Sequence, residues 1–173
     1  MKSELRYGVI GVGSMGREHI SNIKVMGGAT VTAISDPHKP SIDAALEMVP
    51  GAKVFSDHRN LLDSGLIDAV IIATPNDTHA EVLKDALATN LAVFVEKPLA
   101  TTISDLKSIL DWDAKRSAIT WMGLEYRFMP PVTEAIARAK EGEAGKIHQI
   151  SIREHREPFY PKIDNWNRFT ERT

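Results

Sequence analysis

The segment from Gly11 to Gly16 reads GVGSMG and constrains the fold of this 173-residue chain more than any other feature. It follows the apolar run from Leu5 to Ile10 and opens a helical pattern, so it occupies a strand-to-helix turn. Gly11 permits the tight turn, Gly13 lets a ligand approach the backbone, and Gly16 lets the helix pack closely on the sheet. A glycine turn in this context is typical of the first unit of a nucleotide-binding α/β domain.

Asp36 lies twenty residues beyond Gly16, at the end of the next apolar run of the sequence. A carboxylate at this spacing accepts hydrogen bonds from ribose hydroxyls, while free N–H groups at the start of the first helix favour a pyrophosphate. Arg17 and Glu18 stand where a P-loop requires lysine and then serine or threonine, so a P-loop is excluded. The residues predicted to hold a dinucleotide in this unit are Gly11, Val12, Gly13, Ser14, Met15, Gly16 and Asp36.

The Asp36 carboxylate also predicts which dinucleotide is bound. It accepts a hydrogen bond from a ribose 2′-hydroxyl and repels a 2′-phosphate, so we expect NAD. His38 and Lys39 follow closely and could screen the carboxylate, which leaves NADP as the alternative.

Charge and cysteine content exclude several function classes. The formal net charge of −2 and an isoelectric point near 6.3 provide no attraction to nucleic acid or to an anionic membrane. The absence of cysteine excludes disulfides, zinc–thiolate sites and thiol nucleophiles, and no metal site is predicted. The first strand begins too early to leave room for a signal peptide, and no apolar run reaches membrane-spanning length. We therefore expect a soluble, cytoplasmic protein.

Apolar runs and helical patterns alternate up to residue 124, which is typical of a parallel sheet. The predicted strands span 5–10, 30–35, 53–55, 69–73, 92–95 and 118–124. Helices are predicted at 14–26, 41–48, 60–64 and 104–115, and between Asn76 or Asp77 as the cap and Asn90 as the end. The prediction for residues 1–124 is an α/β fold, a Rossmann-type doubly wound parallel sheet with strand order 3-2-1-4-5-6.

The pattern changes after residue 124. A helix is predicted from Pro130 to about Lys140, and one long strand from Ile147 to Glu157 precedes a polar tail. A lone strand cannot form an independent sheet, so its unpaired edge would need a partner. Residues 125–173 are therefore predicted to be the incomplete start of a second α/β domain.

Two further loops are expected beside the glycine turn, because ligands bind outside the carboxyl ends of the strands where the strand order reverses. Thr74-Pro75-Asn76 follows the fourth strand, and Glu96-Lys97-Pro98 follows the fifth. Lys97 is the candidate catalytic residue, since its ammonium would stand near a nicotinamide and act as a proton partner there. Pro98 moves Lys97 out of the helical region and permits a cis bond.

Three residues outside these loops are harder to assign. His79 lies on the same helix face as Leu83 and Ala86, which is more typical of a hydrogen-bonded core residue than of a catalyst. Trp166 and Arg168 stand in an otherwise polar tail, where they would either cover a ligand or pack against another part of the protein.

Four sequence elements together resemble one family of oxidoreductases. They are GVGSMG with Asp36, Ala73-Thr74-Pro75-Asn76 with His79, Glu96-Lys97-Pro98, and Gly123-Leu124-Glu125-Tyr126-Arg127. The resemblance is to the glucose-fructose oxidoreductase, inositol dehydrogenase and rhizopine-catabolism (Gfo/Idh/MocA) family. It covers the whole chain, and the glutamate-lysine-proline element is its most specific part.

The resemblance implies roles for individual residues. Lys97 would hydrogen-bond the reacting hydroxyl, Asp36 would hold the adenosine ribose, and the loop from Thr74 to Asn76 would contact the nicotinamide side. The segment from Asn165 to Arg168 is similar to one that approaches cofactor and substrate in some members. The residues that the resemblance adds to the predicted cofactor site are Ala73, Thr74, Pro75, Asn76, His79, Glu96, Lys97, Trp166 and Arg168.

The family resemblance implies an NAD-dependent dehydrogenase that transfers hydride between nicotinamide and a secondary alcohol of a sugar or cyclitol. It also implies a second α/β domain with a large open sheet, through which members form dimers or tetramers. Members are longer and carry, beyond the position where this chain ends, an aspartate and a histidine that complete the proton-transfer site. We therefore expect the 173 residues alone to bind cofactor without turnover.

Two other function classes fit part of the pattern. A non-catalytic dinucleotide-binding or interaction module would keep the cofactor loops and pair the strand from Ile147 to Glu157 with a partner. A methyltransferase that uses S-adenosylmethionine also has glycine turns and an acidic residue after its second strand. The Glu96-Lys97-Pro98 element has no role in such an enzyme, so the dehydrogenase remains the leading hypothesis.

Overall fold

The computed structural model describes residues 4–155, 158 and 161–168, with Arg168 described by its backbone alone. The chain divides into two compact units. One comprises the residues up to Gly123 together with the segment that begins at Trp166, and the other comprises Leu124–Asn165. The first unit carries the β-sheet, and the described part of the second includes the α-helix Pro130–Lys140 and the 3₁₀ turn Glu125–Phe128.

Strands and helices alternate throughout the first unit. The strands are β1 Leu5–Ile10, β2 Ala29–Ser35, β3 Lys53–Phe55, β4 Ala69–Ile72, β5 Ala92–Glu96 and β6 Thr120–Gly123. The helices are α1 Ser14–Met26, α2 Lys39–Met48, α3 His58–Leu62, α4 His79–Leu87 and α5 Ile103–Asp113. Each of the first five strands is joined to the next by a crossover that contains a helix, which is the connection that parallel strands require.

The six strands form one parallel sheet in the order β3-β2-β1-β4-β5-β6. The predicted fold and strand order are therefore confirmed. Ile10 at the end of β1 pairs with Ile72 of β4, and Ile72 pairs with Val95 of β5. This register brings the segments that follow β1, β4 and β5 to the same carboxyl edge of the sheet.

Aliphatic side chains on both faces of the sheet hold the helices against it. One core cluster contains Val9, Ile20 and Ile34 and joins β1 and β2 to α1. The other contains Ile72 and Leu83 and joins β4 to α4. Each of these five side chains is 0% exposed. Full burial of one such side chain contributes about 1.5–3 kcal/mol to the free energy of unfolding. The carboxyl edge is thus anchored from both sides.

Two short helices begin earlier than the sequence predicted. The α2 helix starts at Lys39 rather than Ser41, with Pro40 in its first turn. Proline is accepted there because the first N–H groups of a helix have no intrahelical partner. The α3 helix starts at His58 rather than at residue 60, because the Asp57 side chain accepts the Arg59 N–H at 2.8 Å and caps the helix.

The start of α4 also differs from the prediction. Asn76–Thr78 forms a 3₁₀ turn, and α4 begins only at His79, so neither Asn76 nor Asp77 is its cap. The Thr78 hydroxyl donates to the Pro75 carbonyl oxygen at 2.7 Å and closes the turn. The loop after β4 is therefore a compact turn that leads directly into the helix.

The second unit contains α6, which spans Pro130–Lys140 as the sequence predicted. The strand predicted from Ile147 to Glu157 is wrong over 147–155, where the described residues form no β-ladder. The alternating apolar pattern is present, but a strand is stabilised by hydrogen bonds to a neighbouring strand, and none pairs with this segment in the part of the chain described here. Ile150 and Ile152 are exposed as a result. The last two residues of the predicted strand, 156–157, lie outside the described residues.

Candidate functional site

The glycine turn after β1 contains two positions, Gly11 and Gly16, where the packing of the chain leaves no space for a side chain. At the third, Gly13, the chain leaves space for one. Gly11 has a φ of +85°, and a Cβ on it would lie 2.7 Å from the backbone of Ala73. A Cβ on Gly16 would lie 2.0 Å from the Gly11 carbonyl oxygen. A Cβ on Gly13 would meet no atom within 4 Å. Space is thus left over Gly13, at the N-terminus of α1, where a pyrophosphate fits the free N–H groups.

Asp36 is held against the glycine turn by backbone hydrogen bonds. The Val12 N–H donates to Asp36 Oδ2 at 2.8 Å, and the His38 N–H donates to Oδ1 at 2.8 Å. The residue is only 9% exposed. Each carboxylate oxygen has a further lone pair, so this fixed carboxylate can still accept hydrogen bonds from a ribose diol. The residues that follow β1 and β2 therefore form one connected binding surface that fits a dinucleotide.

Glu96, the last residue of β5, and Lys97, which follows it, lie in opposite environments. Glu96 is 8% exposed, whereas Lys97 is exposed, and the peptide bond from Lys97 to Pro98 is cis. The Lys97 ammonium forms no ion pair with any residue that the structure describes. Lys97 therefore presents a primary ammonium at the carboxyl edge of the sheet, where it can donate a hydrogen bond to a ligand.

The Glu96 carboxylate is held from two sides. His19 Nε2 of α1 lies 2.8 Å from Glu96 Oε1, and the Lys97 N–H donates to Oε2 at 3.3 Å. Burial raises the pKa of Glu96, but the hydrogen bond and charge of His19, together with Lys97, outweigh burial and hold that pKa below its usual value. Glu96 is therefore a carboxylate that fixes the backbone at Lys97.

His19 is a site residue that the sequence analysis missed. Gly16, His19 and Ile23 recur at the spacing of one helix face, and this pattern was sufficient to predict that His19 faces the sheet. Its partner is 77 residues away, so the pattern could not identify the pair. The His19 ring also packs edge-on against Phe94, with ring centroids 5.0 Å apart.

The loop after β4 stands between the other two loops. The Ala73 N–H donates to the Ile10 carbonyl oxygen at 2.8 Å, which joins this loop to the end of β1. The Thr74 and Thr78 hydroxyls lie 2.8 Å apart, and Thr74, Pro75 and Asn76 are half-buried. The sheet thus brings together the three loops that the sequence assigned to the cofactor.

His79 is fully buried, with both ring nitrogens near backbone carbonyl oxygens. Trp166 is half-buried and groups with the first unit, whereas the side chain of Arg168 lies outside the described residues. Among the described residues, no group of three or more histidine, aspartate or glutamate side chains could hold a metal ion. No helix in the described ranges has the length and apolar character needed to cross a membrane.

Comparison with known proteins gives a consistent family. Residues 5–124 match the model of an oxidoreductase family with an NAD-binding Rossmann fold. Myo-inositol 2-dehydrogenase of Thermotoga maritima is 29% identical over 160 residues, which are 92% of this chain and 48% of that protein. Inositol 2-dehydrogenase of Leifsonia xyli subsp. xyli is 36% identical over 163 residues, 92% of this chain and 47% of that protein.

A solved structure gives the same result. The crystal structure of myo-inositol dehydrogenase from Lactobacillus casei, in complex with NAD(H) and myo-inositol, is similar with a TM-score of 0.77 and 33% identity. The match covers 80% of this chain and 42% of that one. The chain therefore spans less than half the length of the relatives that it matches.

Alanine at Gly13 and at Gly16 is expected to have different effects. In Gly16→Ala the new methyl group meets the Gly11 backbone, so we expect the free energy of unfolding to fall by about 1–3 kcal/mol or more. In Gly13→Ala the methyl group fills open space, so we expect unchanged thermal stability and roughly tenfold weaker NAD binding, a loss of about 1.4 kcal/mol. Thermal unfolding and calorimetric NAD titration measure the two effects. An equal loss of stability in both variants would contradict this interpretation.

Glu96→Gln is expected to flatten the acid part of the stability profile. Because the pKa of Glu96 is lower in the folded chain than in the unfolded one, its stabilisation is complete above the ordinary glutamate range and is lost as the pH falls through the folded value. Wild-type protein should therefore lose more unfolding free energy than Glu96→Gln between neutral pH and about pH 3. Urea unfolding at several pH values checks this. Glu18→Gln, which removes an exposed carboxylate on α1, should follow the wild-type profile.

Proposed function

The chain belongs to the Gfo/Idh/MocA oxidoreductase family with an NAD-binding Rossmann fold, and on that premise we propose a specific reaction. The chain binds NAD and serves hydride transfer between the nicotinamide and a secondary alcohol of a sugar or cyclitol. Relatives named as inositol dehydrogenases support a polyol as the substrate class. The structure of the Lactobacillus casei relative holds NAD(H) and myo-inositol together.

The observation that carries the proposal is the meeting of three differently equipped loops at one sheet edge. The first offers open space over Gly13 at a helix N-terminus, and Asp36 beside it is a fixed acceptor. The second is the compact turn from Thr74 to Asn76. The third ends in the exposed ammonium of Lys97. An anion site, a ribose acceptor and a proton partner in this order suit an extended dinucleotide and a hydroxylated substrate.

The chemistry of the chain's own residues follows from this order. Bound NAD would supply the nicotinamide as hydride acceptor. The N–H groups at the start of α1 hold the pyrophosphate, and Asp36 accepts from the adenosine ribose. Lys97 hydrogen-bonds the reacting hydroxyl and orients it, and the buried Glu96 carboxylate keeps the Lys97 backbone in position. Lys97 is the one residue of the described loops that we assign to catalysis.

Asp36 is expected to make the chain prefer NAD to NADP. In Asp36→Asn the neutral amide neither repels a 2′-phosphate nor accepts as strongly from a diol, so NAD affinity should fall roughly tenfold and the preference should shrink. Calorimetric titration of both cofactors measures this. Asp111→Asn, an exposed change on α5, is the control and should leave both affinities unchanged. Tighter binding of NADP than of NAD by the wild-type chain would refute the assignment.

Lys97→Ala is expected to affect turnover rather than cofactor binding. In a chain that contains residues 1–173 and oxidises a polyol, kcat and kcat/KM should fall together by about 10²–10⁴-fold. NAD affinity should stay near the wild-type value, because Asp36 and the glycine turn make the other cofactor contacts. Steady-state rates and NAD titration give the two readouts. Lys84→Ala, which removes an exposed lysine on α4, is the control. If Lys97→Ala turned over at the rate of this control, Lys97 would have no role in the mechanism.

A non-catalytic dinucleotide-binding module is the second candidate. It is favoured by one observation: most of the described loop residues suit cofactor binding, and only Lys97 among them is assigned to catalysis. Adding NAD and myo-inositol to the purified chain and following NADH absorbance discriminates between the two. NADH formation supports the dehydrogenase, whereas NAD binding without NADH formation supports the module.

Three expectations from the sequence remain predictions. They are the domain boundary after residue 124, a cytoplasmic location, and a homo-oligomer formed through the sheet of the C-terminal domain.

A further inference from the structure

His79 joins the loop after β4 to the loop after β5. It is the first residue of α4 and is 0% exposed. Its Nδ1 lies 2.7 Å from the Pro98 carbonyl oxygen, and its Nε2 lies 3.0 Å from the Thr74 carbonyl oxygen. One buried ring therefore touches the residue after Lys97 on one side and the start of the nicotinamide-side loop on the other.

The chemistry of the two contacts determines which way the hydrogen bonds run. A carbonyl oxygen only accepts, so a ring nitrogen must carry a proton to bind it. A neutral imidazole has one N–H and would turn a lone pair toward the second carbonyl, which costs free energy in a dry interior. Hydrogen bonds donated from both ring nitrogens of this fully buried side chain give each carbonyl oxygen a donor.

We propose that His79 is a positioning residue that donates hydrogen bonds from both ring nitrogens and so fixes the Thr74 loop relative to Lys97. This inference rests on the proposed function, because it concerns the nicotinamide end of the same site. It agrees with the hydrogen-bonded core role that the helix face of His79 suggested, and it differs from the cofactor contact that the family resemblance implied. A fully buried ring with both nitrogens engaged by protein carbonyls acts through those loops and not by contact with the cofactor.

Two conservative variants break one contact each. An asparagine amide reaches the position of the histidine Nδ1, so His79→Asn keeps the hydrogen bond to the Pro98 carbonyl and loses the one to Thr74. A glutamine amide reaches the position of Nε2, so His79→Gln keeps the Thr74 contact and loses the one to Pro98. His58→Asn is the matched control. His58 lies on α3 and is also a largely buried histidine, and its ring contacts Asp85 of α4 at 2.8 Å.

The binding readout compares NAD with ADP-ribose, which lacks only the nicotinamide. If His79 fixes the nicotinamide-side loops, both His79 variants should bind NAD roughly tenfold more weakly and ADP-ribose within about twofold of wild type. The control should bind both ligands as the wild type does. Thermal unfolding identifies any variant that fails to fold. If both His79 variants kept the wild-type ratio of NAD affinity to ADP-ribose affinity, the proposal would be overturned.

The second readout does not depend on any ligand. Two-dimensional ¹H–¹⁵N NMR of the wild-type histidine rings should show a proton on each ring nitrogen of His79, with His79→Gln identifying the signals by their loss. A His79 ring with a proton on only one nitrogen would overturn the double bridge. If the wild-type chain bound neither NAD nor ADP-ribose, the proposed function would fail, and this spectrum would still test the bridge by itself.

Discussion

The close approach of α1 to the turn after β1 is the constraint on which the candidate site depends. A side chain on Gly16 would lie 2.0 Å from the Gly11 carbonyl oxygen, so the helix packs at a distance that only glycine permits. This packing directs the free N–H groups of α1 toward the carboxyl edge and leaves Val12 within 2.8 Å of Asp36. It also carries His19 to Glu96 on the far side of β4.

The sheet then separates two neighbouring residues by environment. Glu96 is buried beside His19, and Lys97 is exposed at the edge. Gly123 on β6 contributes to this separation, because a Cβ there would lie 2.9 Å from the Phe94 ring and 3.4 Å from Glu96 Oε1. Gly123 of β6 therefore leaves space for the buried Glu96 carboxylate, and His19 of α1 is its hydrogen-bond partner. Lys97 remains exposed and available to a ligand.

Much of the fold could be predicted because its signals are local. The apolar runs, the glycine turn and the acid at the end of β2 gave the alternation of elements, and the parallel-sheet rules then gave the strand order. The start of α2 at Lys39 and the 3₁₀ turn at Asn76–Thr78 were missed, because proline and asparagine are compatible with both a loop and a first helical turn. The strand expected from Ile147 was wrong over 147–155 because alternation marks a strand only where another strand pairs with it.

The sequence by itself determined the positions of the three loops, since each directly follows an apolar run that can only be a buried parallel strand. Only the tertiary structure decided which side chains at those loops are exposed and which hold the loops in place. His19 meets Glu96 across 77 residues, and His79 meets Pro98 across 19. Such contacts depend on the order of strands and on helix packing distances, which no local pattern encodes. Histidine, equally suited to a ligand or to the core, therefore acquires its role from its neighbours in space.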